Sequence, residues 1–152
     1  MLKEQLQIDL KEAMKARDEV RLRTVRFLRA AVMAREIELR SGGTGDIPEE
    51  EALAVVQKQA KQRRDSIDQY EAAGREDLKA VEVAELAIIE TYLPEQLSPE
   101  AIRKVVDALV ASSGATSMRE MGKVMGPAMA QLKGKADGKI VQEIVKAALS
   151  EM

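Results

Sequence analysis

Apolar residues recur at intervals of three and four along most of the chain, which is the spacing of one face of an α-helix. Two such sets fill residues 1–40, and a cap residue, Asp18, separates them. The first set predicts a helix to about Arg17 through Leu2, Leu6, Leu10, Ala13 and Met14. The second set predicts a helix through Leu22, Val25, Leu28, Val32 and Ile37. This second helix is expected to stop in the flexible segment SGGTG, residues 41–45.

The segment DIPEEEA, residues 46–52, has the form of a new helix start. Asp46 and Glu49 have capping-box spacing, and Pro48 suits a first turn. The third helix that follows ends at Gly74 and carries Leu53, Val56, Ala60, Ile67 and Tyr70. A fourth helix, from about Asp77 to the residue before Pro94, carries Val81, Leu86, Ile89 and Tyr92.

The segment LPEQLSPEA, residues 93–101, predicts a boundary between two parts of the chain. Pro94 stops one helix, while Ser98 caps the next and Pro99 opens it. Beyond the boundary, a helix that ends at Gly114 carries Ile102, Val105, Val106 and Leu109. The pattern therefore predicts two helical subdomains, a larger one over residues 1–96 and a smaller one of three or four helices over residues 98–152.

The composition favours an all-α fold class. Phe27, Tyr70 and Tyr92 are the only aromatic residues, so the core must be built from Leu, Ile, Val, Met and Ala. Those residues, together with abundant Glu, Lys, Arg and Gln, favour helix over sheet. The chain has no Cys and no His, which excludes thiol nucleophiles, disulfides and imidazole acid–base chemistry.

Two kinds of chemistry stay open on composition. A Ser–Lys pair needs only residue types that are present, although Ser98 and Ser117 are better explained as helix caps. The carboxylates of GDIPEEE and GREDLKAVEVAE could coordinate Mg²⁺, although their spacing is that of helix starts and exposed faces. We therefore predict no catalytic residue, no metal ion and no cofactor, and no enzymatic activity of the chain by itself.

Charged residues recur every few positions from the N-terminus onward, which leaves no secretory leader and no run of membrane-spanning length. The expectation is a cytoplasmic protein without a membrane partner. The net charge of −2 is uneven: residues 1–40 carry +3, residues 41–97 carry −7 and residues 98–152 carry +2. The overall balance predicts no polyanion partner, although both ends of the chain are mildly basic.

The stretch MGKVMGPAMAQLKGKADGK, residues 121–139, concentrates glycine and lysine. No Gly-Lys pair in it has the spacing and the following Ser or Thr that a nucleotide-binding P-loop requires. Gly126-Pro127 predicts a kink or a junction between two short helices, Gly134 a helix end, and Asp137 the cap of the last helix. One helical face is expected to be core and consists of Met118, Met121, Met125 and Met129.

The same stretch carries an excess of positive charge. Between Ser113 and Lys139, Glu120 and Asp137 oppose five cations, which are Arg119, Lys123, Lys133, Lys135 and Lys139. Helix starts after Gly126 and Gly134 would add backbone N–H donors beside these side chains. Two interpretations stay open, a contact site for phosphate groups and a solvated basic face.

A second basic run lies in the third helix and consists of Lys58, Lys61, Arg63 and Arg64. Asp65 and Asp68 follow Lys61 and Arg64 by four residues, which is the spacing of helical ion pairs. Contact with RNA and a solvated, ion-paired face are both open for this run.

Three segments together resemble the GatB/YqeY family. They are KQRRDSIDQYEAAGREDL at residues 61–78, AELAIIETYLPEQLS at residues 84–98, and the run from MREMGKVMG to LKGKADGKIVQEIVKAAL at residues 118–149. The opening LKEAMKARDEVRLRTVRFLRAA is similar to the start of the stand-alone YqeY-like members. The resemblance runs from end to end and implies a fold of two all-α subdomains.

That family takes its name from a helical region that forms the tail of the B subunit of tRNA-dependent amidotransferases. In those complexes the tail grips the body of the tRNA, while the chemistry lies in other domains and subunits. The resemblance implies a role in the tail motif for Gly122, Lys123, Met125, Gly126, Gly134, Lys135, Asp137 and Gly138. The B subunit's catalytic domain is absent from this sequence, so carbon–nitrogen ligase activity with glutamine as the nitrogen donor is implied by family association alone.

Three hypotheses of function follow. The leading one is a non-catalytic accessory protein that interacts with tRNA or another structured RNA, with amidotransferase or aminoacyl-tRNA synthetase components as protein partners. The second is an adaptor whose helical faces dock on an enzyme or on another copy of the chain. The third is a subunit that assists glutamine-dependent amidation of mischarged tRNA.

Overall fold

The computed structural model describes residues 1–40 and 45–151. The described residues form seven α-helices and one 3₁₀ turn and contain no strand, which confirms the all-α prediction. The α-helices are α1 (Leu2–Ala16), α2 (Glu19–Leu39), α3 (Glu49–Ala72), α4 (Glu76–Glu90), α5 (Pro99–Ser113), α6 (Met121–Leu132) and α7 (Gly138–Ser150), and the 3₁₀ turn is Met118–Glu120. All but the last residue of the predicted flexible segment SGGTG lie outside the described part. Within the described ranges, no helix combines the length and the apolar character needed to cross a membrane.

The helices form two compact units, Met1–Pro94 with α1 to α4 and Glu95–Met152 with α5 to α7. In the first unit, α1 packs on α2, and α3 packs on α4. Asp18 caps α2 as predicted, since its carboxylate accepts a hydrogen bond from the backbone N–H of Arg21 at 3.1 Å. The core between the helices is aliphatic and its buried members are Leu2, Leu6, Val25, Leu28, Val32, Ile47, Ala52, Val56, Ala60 and Ile89.

The predicted capping box at the start of α3 is wrong. Helix α3 begins at Glu49 behind Pro48, and no side chain caps it. The carboxylate of Asp46 pairs with Lys3 at 3.2 Å, and that of Glu49 accepts hydrogen bonds from the backbone N–H of Leu2. Both carboxylates therefore contact the start of α1: Glu49 accepts from one of its unpaired backbone N–H groups, and Asp46 pairs with the side chain of Lys3.

Three apolar residues expected in the core are exposed instead. The exposed fractions are 52% for Met14, 65% for Ile37 and 46% for Val81. At the end of α2 the inward position belongs to Glu36, which is buried and accepts hydrogen bonds from Lys3 at 2.9 Å and from the backbone N–H of Ile47 at 3.0 Å. Helical periodicity places residues on faces, and a buried carboxylate with such partners can occupy a position that the pattern assigns to an apolar residue.

In the second unit, α5, α6 and α7 surround their own core. Ser98 caps α5 through the backbone N–H of Ala101, and Gly114 ends α5 in the left-handed conformation at φ 72°, both as predicted. The buried members of this core are Ile102, Val106, Val110, Ala115, Val124, Ala128, Leu132, Val141, Val145, Ala148 and Leu149.

Of the two alternatives predicted at Gly126-Pro127, a kink or a junction, the junction is wrong, because helix α6 runs through both residues. An interior proline removes one helical hydrogen bond, here to the carbonyl of Lys123. Lys123 and Pro127 lie on the exposed face, where water can satisfy that carbonyl, while Val124 and Ala128 pack into the core on the opposite face. Burial of that face offsets the cost of the proline.

The methionine face is confirmed in part. Met121, Met125 and Met129 are partly buried against the core of the second unit. Met118 belongs to the 3₁₀ turn and is 41% exposed, because the turn breaks the helical register that the spacing assumed.

Candidate nucleic-acid interface

The loop between α6 and α7, residues 133–137, is held by backbone hydrogen bonds. The backbone N–H of Leu97 donates to the carbonyl of Lys135 at 2.9 Å, and the side-chain amide of Gln96 donates to the carbonyl of Gly134 at 2.8 Å. The backbone N–H of Lys135 also donates to the carbonyl of Leu132 at 2.9 Å, which closes the end of α6. These bonds use main-chain atoms of the loop, and the side chains of Lys133 and Lys135 are exposed.

Gly134 and Asp137 set the course of this loop, as predicted. Gly134 has φ 80°, a conformation that residues with a Cβ rarely adopt. Asp137 is the cap of α7, and its carboxylate accepts a hydrogen bond from the backbone N–H of Lys139 at 3.1 Å. The Met129 side chain fills the space beside Gly138, since a Cβ built there would lie 3.2 Å from the methionine methyl carbon.

The five cations of this unit's basic stretch are exposed. They are Arg119, Lys123, Lys133, Lys135 and Lys139. Lys123 forms an ion pair with Glu120 at 3.1 Å, and this hydrogen bond lowers the pKa of the Glu120 carboxyl below its ordinary value. The side chain of Lys123 is 63% exposed in that pair, so water screens the charge and the pair contributes little stability. The arrangement offers several positive charges to a polyanion.

Glycines occupy part of the exposed face of α6. Gly122 and Gly126 are exposed, and a Cβ added at either would meet no atom within 4 Å. Neither glycine has a positive φ, so the fold does not require glycine at these positions. Alanine would make the helix more stable by up to about 1 kcal/mol at each position. Gly126 lies inside α6, so the predicted helix start after it does not exist, and α7 starts at Gly138 rather than directly after Gly134.

The second basic run divides into exposed and internal residues. Lys58 is exposed, and Lys61 pairs with Asp65 at 3.3 Å as predicted. The guanidinium of Arg63 lies 3.0 Å from the carboxylate of Glu85, with its side chain only 16% exposed. Arg63 also contacts the carboxylate of Glu82 at 3.4 Å and stacks over the ring of Phe27, 5.0 Å from its centroid. Arg64 pairs with Glu90 at 3.2 Å.

These contacts show that the two arginines hold α3 to α4, and Arg63 also reaches α2. Their charges are compensated within the unit, so they are poor candidates for contact with RNA. The sequence pattern did not reveal this, because the partners lie about twenty to twenty-six residues away on another helix. The same pairs occupy the carboxylates of Glu82 and Glu85, which belong to one of the segments considered for Mg²⁺.

Relatives of this chain are named "Altered inheritance of mitochondria protein 41, mitochondrial". The one from Pyrenophora tritici-repentis is 34% identical over 151 residues, which is 93% of this chain and 80% of that protein. The one from Saccharomyces cerevisiae strain S288c is 33% identical over 124 residues, or 78% of this chain. The one from Vanderwaltozyma polyspora is 29% identical over 123 residues. The chain spans 65% and 64% of the length of these two yeast proteins.

The names of these relatives contradict the predicted cytoplasmic localisation, because they describe mitochondrial proteins. The prediction depended on the lack of an apolar leader. Such a criterion does not address mitochondrial targeting, since mitochondrial transit peptides are amphipathic and rich in arginine and serine rather than apolar.

A family model described as "Yqey-like protein" matches residues 3–149. The match covers nearly the whole chain and includes both basic runs, the α6–α7 loop and all but the outermost residues of α1 and α7. It agrees with the resemblance that the segment patterns indicated. The chain therefore belongs to the YqeY-like protein family.

Proposed function

We propose that this chain is a non-catalytic RNA-interacting protein, and that its α6–α7 loop contacts the phosphate backbone of tRNA or another structured RNA. The observation that carries the proposal is the set of exposed cations on a loop whose backbone is fixed. A fixed loop presents Lys133 and Lys135 without a large loss of backbone entropy on binding. Such charges bind nucleic acid by displacing counterions from phosphates.

The exposed face of α6 extends this surface. Lys123, Pro127 and Ala130 are exposed, and helical spacing puts them on one side with the two glycines described above. From Lys123 to Lys133 the helix rises roughly 15 Å. Gly122 beside Lys123 and Gly126 between the two cations would let a sugar-phosphate backbone approach the helix closely, which would account for two glycines that the fold does not require.

The kind of contact follows from the absence of aromatic residues in this unit. Phe27, Tyr70 and Tyr92 all lie in the first unit, so bases cannot stack on aromatic side chains here. Recognition would therefore depend on backbone charge and shape, as for double-stranded RNA. An accessory role in tRNA-dependent amidotransfer is the form of this function that the family resemblance suggests.

Charge reversal tests the proposal. Lys135→Glu with Lys139→Glu should weaken tRNA binding at least about tenfold and reduce the slope of log K against log salt by roughly 1.5. The matched control is Lys104→Glu with Lys146→Glu, which makes the same charge change at exposed positions of the same unit. Gel-shift titrations at several salt concentrations measure both. Equal affinities for the wild type and the loop variant, or an equal loss in the control, would remove this site.

A further inference from the structure

The arginines of α2 fall into two groups. Four are paired: Arg21 with Asp9 and Glu12, Arg23 with Glu85, Arg35 with Glu38 and Glu51, and Arg40, the residue that ends the helix, with Glu36. Arg26 and Arg29 make no ion pair or hydrogen bond with any residue in the described ranges. In a chain with 26 acidic and 24 basic residues, two neighbouring arginines without a partner mark a surface with uncompensated positive charge.

Exposed apolar side chains lie beside these arginines. Arg29 and Met33 line a groove of about 440 Å³ between α1 and α2, together with Ile8. Ile8 is 50% exposed and Met33 is 40% exposed, and Ile37, one turn after Met33, is 65% exposed. The stripe from Arg26 to Ile37 is roughly 16 Å long.

The core does not need these side chains. Leu6 and Val32 form the floor of the groove and are already almost fully buried, at 0% and 1% exposure. Ile8 and Met33 therefore leave apolar surface in water without filling any space beneath them. An apolar patch of this kind beside charged residues is typical of an interaction site.

Two other charged groups at the groove, Lys3 and Glu36, are compensated within the first unit. Lys3 pairs with Glu36 at 2.9 Å and with Asp46 at 3.2 Å. The side chain of Glu4 is 67% exposed and lies 3.8 Å from the N-terminal ammonium group, a pair that water screens. The positive charge without an ion-pair partner in the described residues is that of Arg29 at the rim, with Arg26 one turn before it.

We propose that this groove binds an acidic amphipathic helix of a partner protein. A groove between two helices accepts the apolar face of a third helix, whose anchors repeat at i, i+3, i+4 and i+7. Met33 suits this role because its flexible side chain adapts to different apolar partners. Carboxylates on the partner's flank would pair with Arg26 and Arg29, which sets the orientation and speeds association.

Two other occupants fit the surface less well. In a two-fold dimer the same patch meets its own copy, and two positive rims would repel each other. An RNA backbone would pair with the arginines, but it would leave Ile8 and Met33 exposed to a polar partner. The groove lies in the first unit and the α6–α7 loop in the second, so this inference does not depend on the proposed RNA contact.

The test uses the full chain and a labelled synthetic peptide of about 18 residues, with leucines at the anchor positions and glutamates on the flanks. Fluorescence anisotropy should show binding, and Arg26→Glu with Arg29→Glu should weaken it at least about tenfold. Met33→Glu should weaken it as well. Met14→Glu is the matched control for Met33→Glu, since Met14 is also exposed but does not line the groove. Lys104→Glu with Lys146→Glu is the control for charge.

The outcomes separate the three occupants. Binding of the acidic peptide that both groove variants lose, with no binding of the same peptide carrying lysines, supports the proposal. No binding by the wild-type chain overturns it, as does equal binding by the groove variants. A wild-type dimer in sedimentation that Met33→Glu dissociates would assign the groove to a second copy instead. Loss of tRNA binding in Arg26→Glu with Arg29→Glu would assign it to RNA. Circular dichroism confirms that each variant is folded.

Discussion

The carboxylate of Glu49, the first residue of α3, accepts hydrogen bonds from the backbone N–H of Leu2, the first residue of α1, at 3.0 and 3.2 Å. The first N–H groups of a helix have no partner within it, and here a side chain 47 residues away supplies one. The negative charge also lies at the positive end of the α1 dipole. One residue thus starts its own helix and caps another.

The first prediction concerns this contact. Glu49→Ala should lower the free energy of unfolding by about 1 kcal/mol, as expected for loss of a helix cap. Glu49→Gln keeps one acceptor oxygen and should lose less. Urea unfolding of the full chain measures both values. If the free energies of unfolding of Glu49→Ala and Glu49→Gln were both equal to that of the wild type, Glu49 would not cap α1 in solution.

The second prediction concerns the pH dependence of stability through Glu36. Hydrogen bonds from Lys3 and from the backbone N–H of Ile47 hold the pKa of the Glu36 carboxyl below its ordinary value. A carboxyl whose pKa is lower in the folded state stabilises the fold above its unfolded pKa, and this contribution is lost as the pH falls through the folded pKa. The free energy of unfolding should therefore fall as the pH is lowered below about 4.5.

Glu36→Gln tests this assignment. The variant should be less stable than the wild type at pH 7, and the difference should shrink in acid because the wild-type carboxyl becomes protonated there. Urea unfolding at a series of pH values between neutral and acid gives both curves. A constant difference between the curves would contradict a role for the charge of Glu36.

The third prediction concerns Tyr92. Its hydroxyl donates a hydrogen bond to Asp9, a buried carboxylate that also accepts from the side-chain amide of Gln5 at 2.9 Å. Burial and then the bond to Asp9 raise the pKa of the Tyr92 phenol above its ordinary value. Tyr92→Phe should lower the free energy of unfolding by about 1–2 kcal/mol, because Asp9 loses a buried partner.

The raised pKa has its own measurement. Tyr70→Phe leaves Tyr92 as the only tyrosine, so absorbance in alkali reports that phenol alone. The unfolded phenol ionises near pH 10 while the folded one stays protonated, so stability should fall as the pH rises above about 10. If the Tyr92 phenol of the folded protein ionised with its ordinary pKa, the hydrogen bond to Asp9 would be contradicted.

The fourth prediction separates folding from binding at the exposed glycines of α6. Gly122→Ala and Gly126→Ala should each raise the free energy of unfolding by up to about 1 kcal/mol, because alanine loses less backbone freedom in a helix. The same changes should weaken tRNA binding, since a methyl group stands between the helix and the phosphate backbone. Thermal unfolding and gel-shift titration measure the two effects.

Gly134→Ala is the contrasting control. Gly134 has a positive φ, so alanine there is strained and should lower stability instead of raising it. If Gly122→Ala and Gly126→Ala stabilise the chain and leave tRNA affinity unchanged, the exposed face of α6 does not approach RNA.

Several features of the fold could be predicted because their causes are local. Asp18, Ser98 and Asp137 each cap the helix that follows them, since a cap needs only backbone N–H groups two or three residues away. Gly74 and Gly114 lie where α3 and α5 end, and both have a positive φ that glycine tolerates. The excess of positive charge at the α6–α7 loop is visible in the sequence, and the structure places Lys133 and Lys135 on the surface.

Other features could not be predicted, because they depend on which helices meet. Glu49 was assigned to its own helix and serves α1, and Arg63 was grouped with surface cations and is held by Glu85 of α4. Pro127 was expected to mark a kink or a junction, and tertiary burial holds the helix continuous through it. In each case a contact distant in sequence outweighed a local preference worth only a few kcal/mol or less.

The sequence by itself determined the helical character of this protein, the caps and glycines at most of its helix ends, and the excess of positive charge near its C-terminal loop. These follow from the 3.6-residue period and from hydrogen bonds that span a single turn. The tertiary structure decided which charges are compensated by partners on other helices. It brought carboxylates to Arg63 and Lys3 and brought none to Arg26 or Arg29 within the described residues. Pairs within one helix, such as Lys61 with Asp65, follow from local spacing, whereas pairing between helices depends on the packing of segments that lie far apart in the chain.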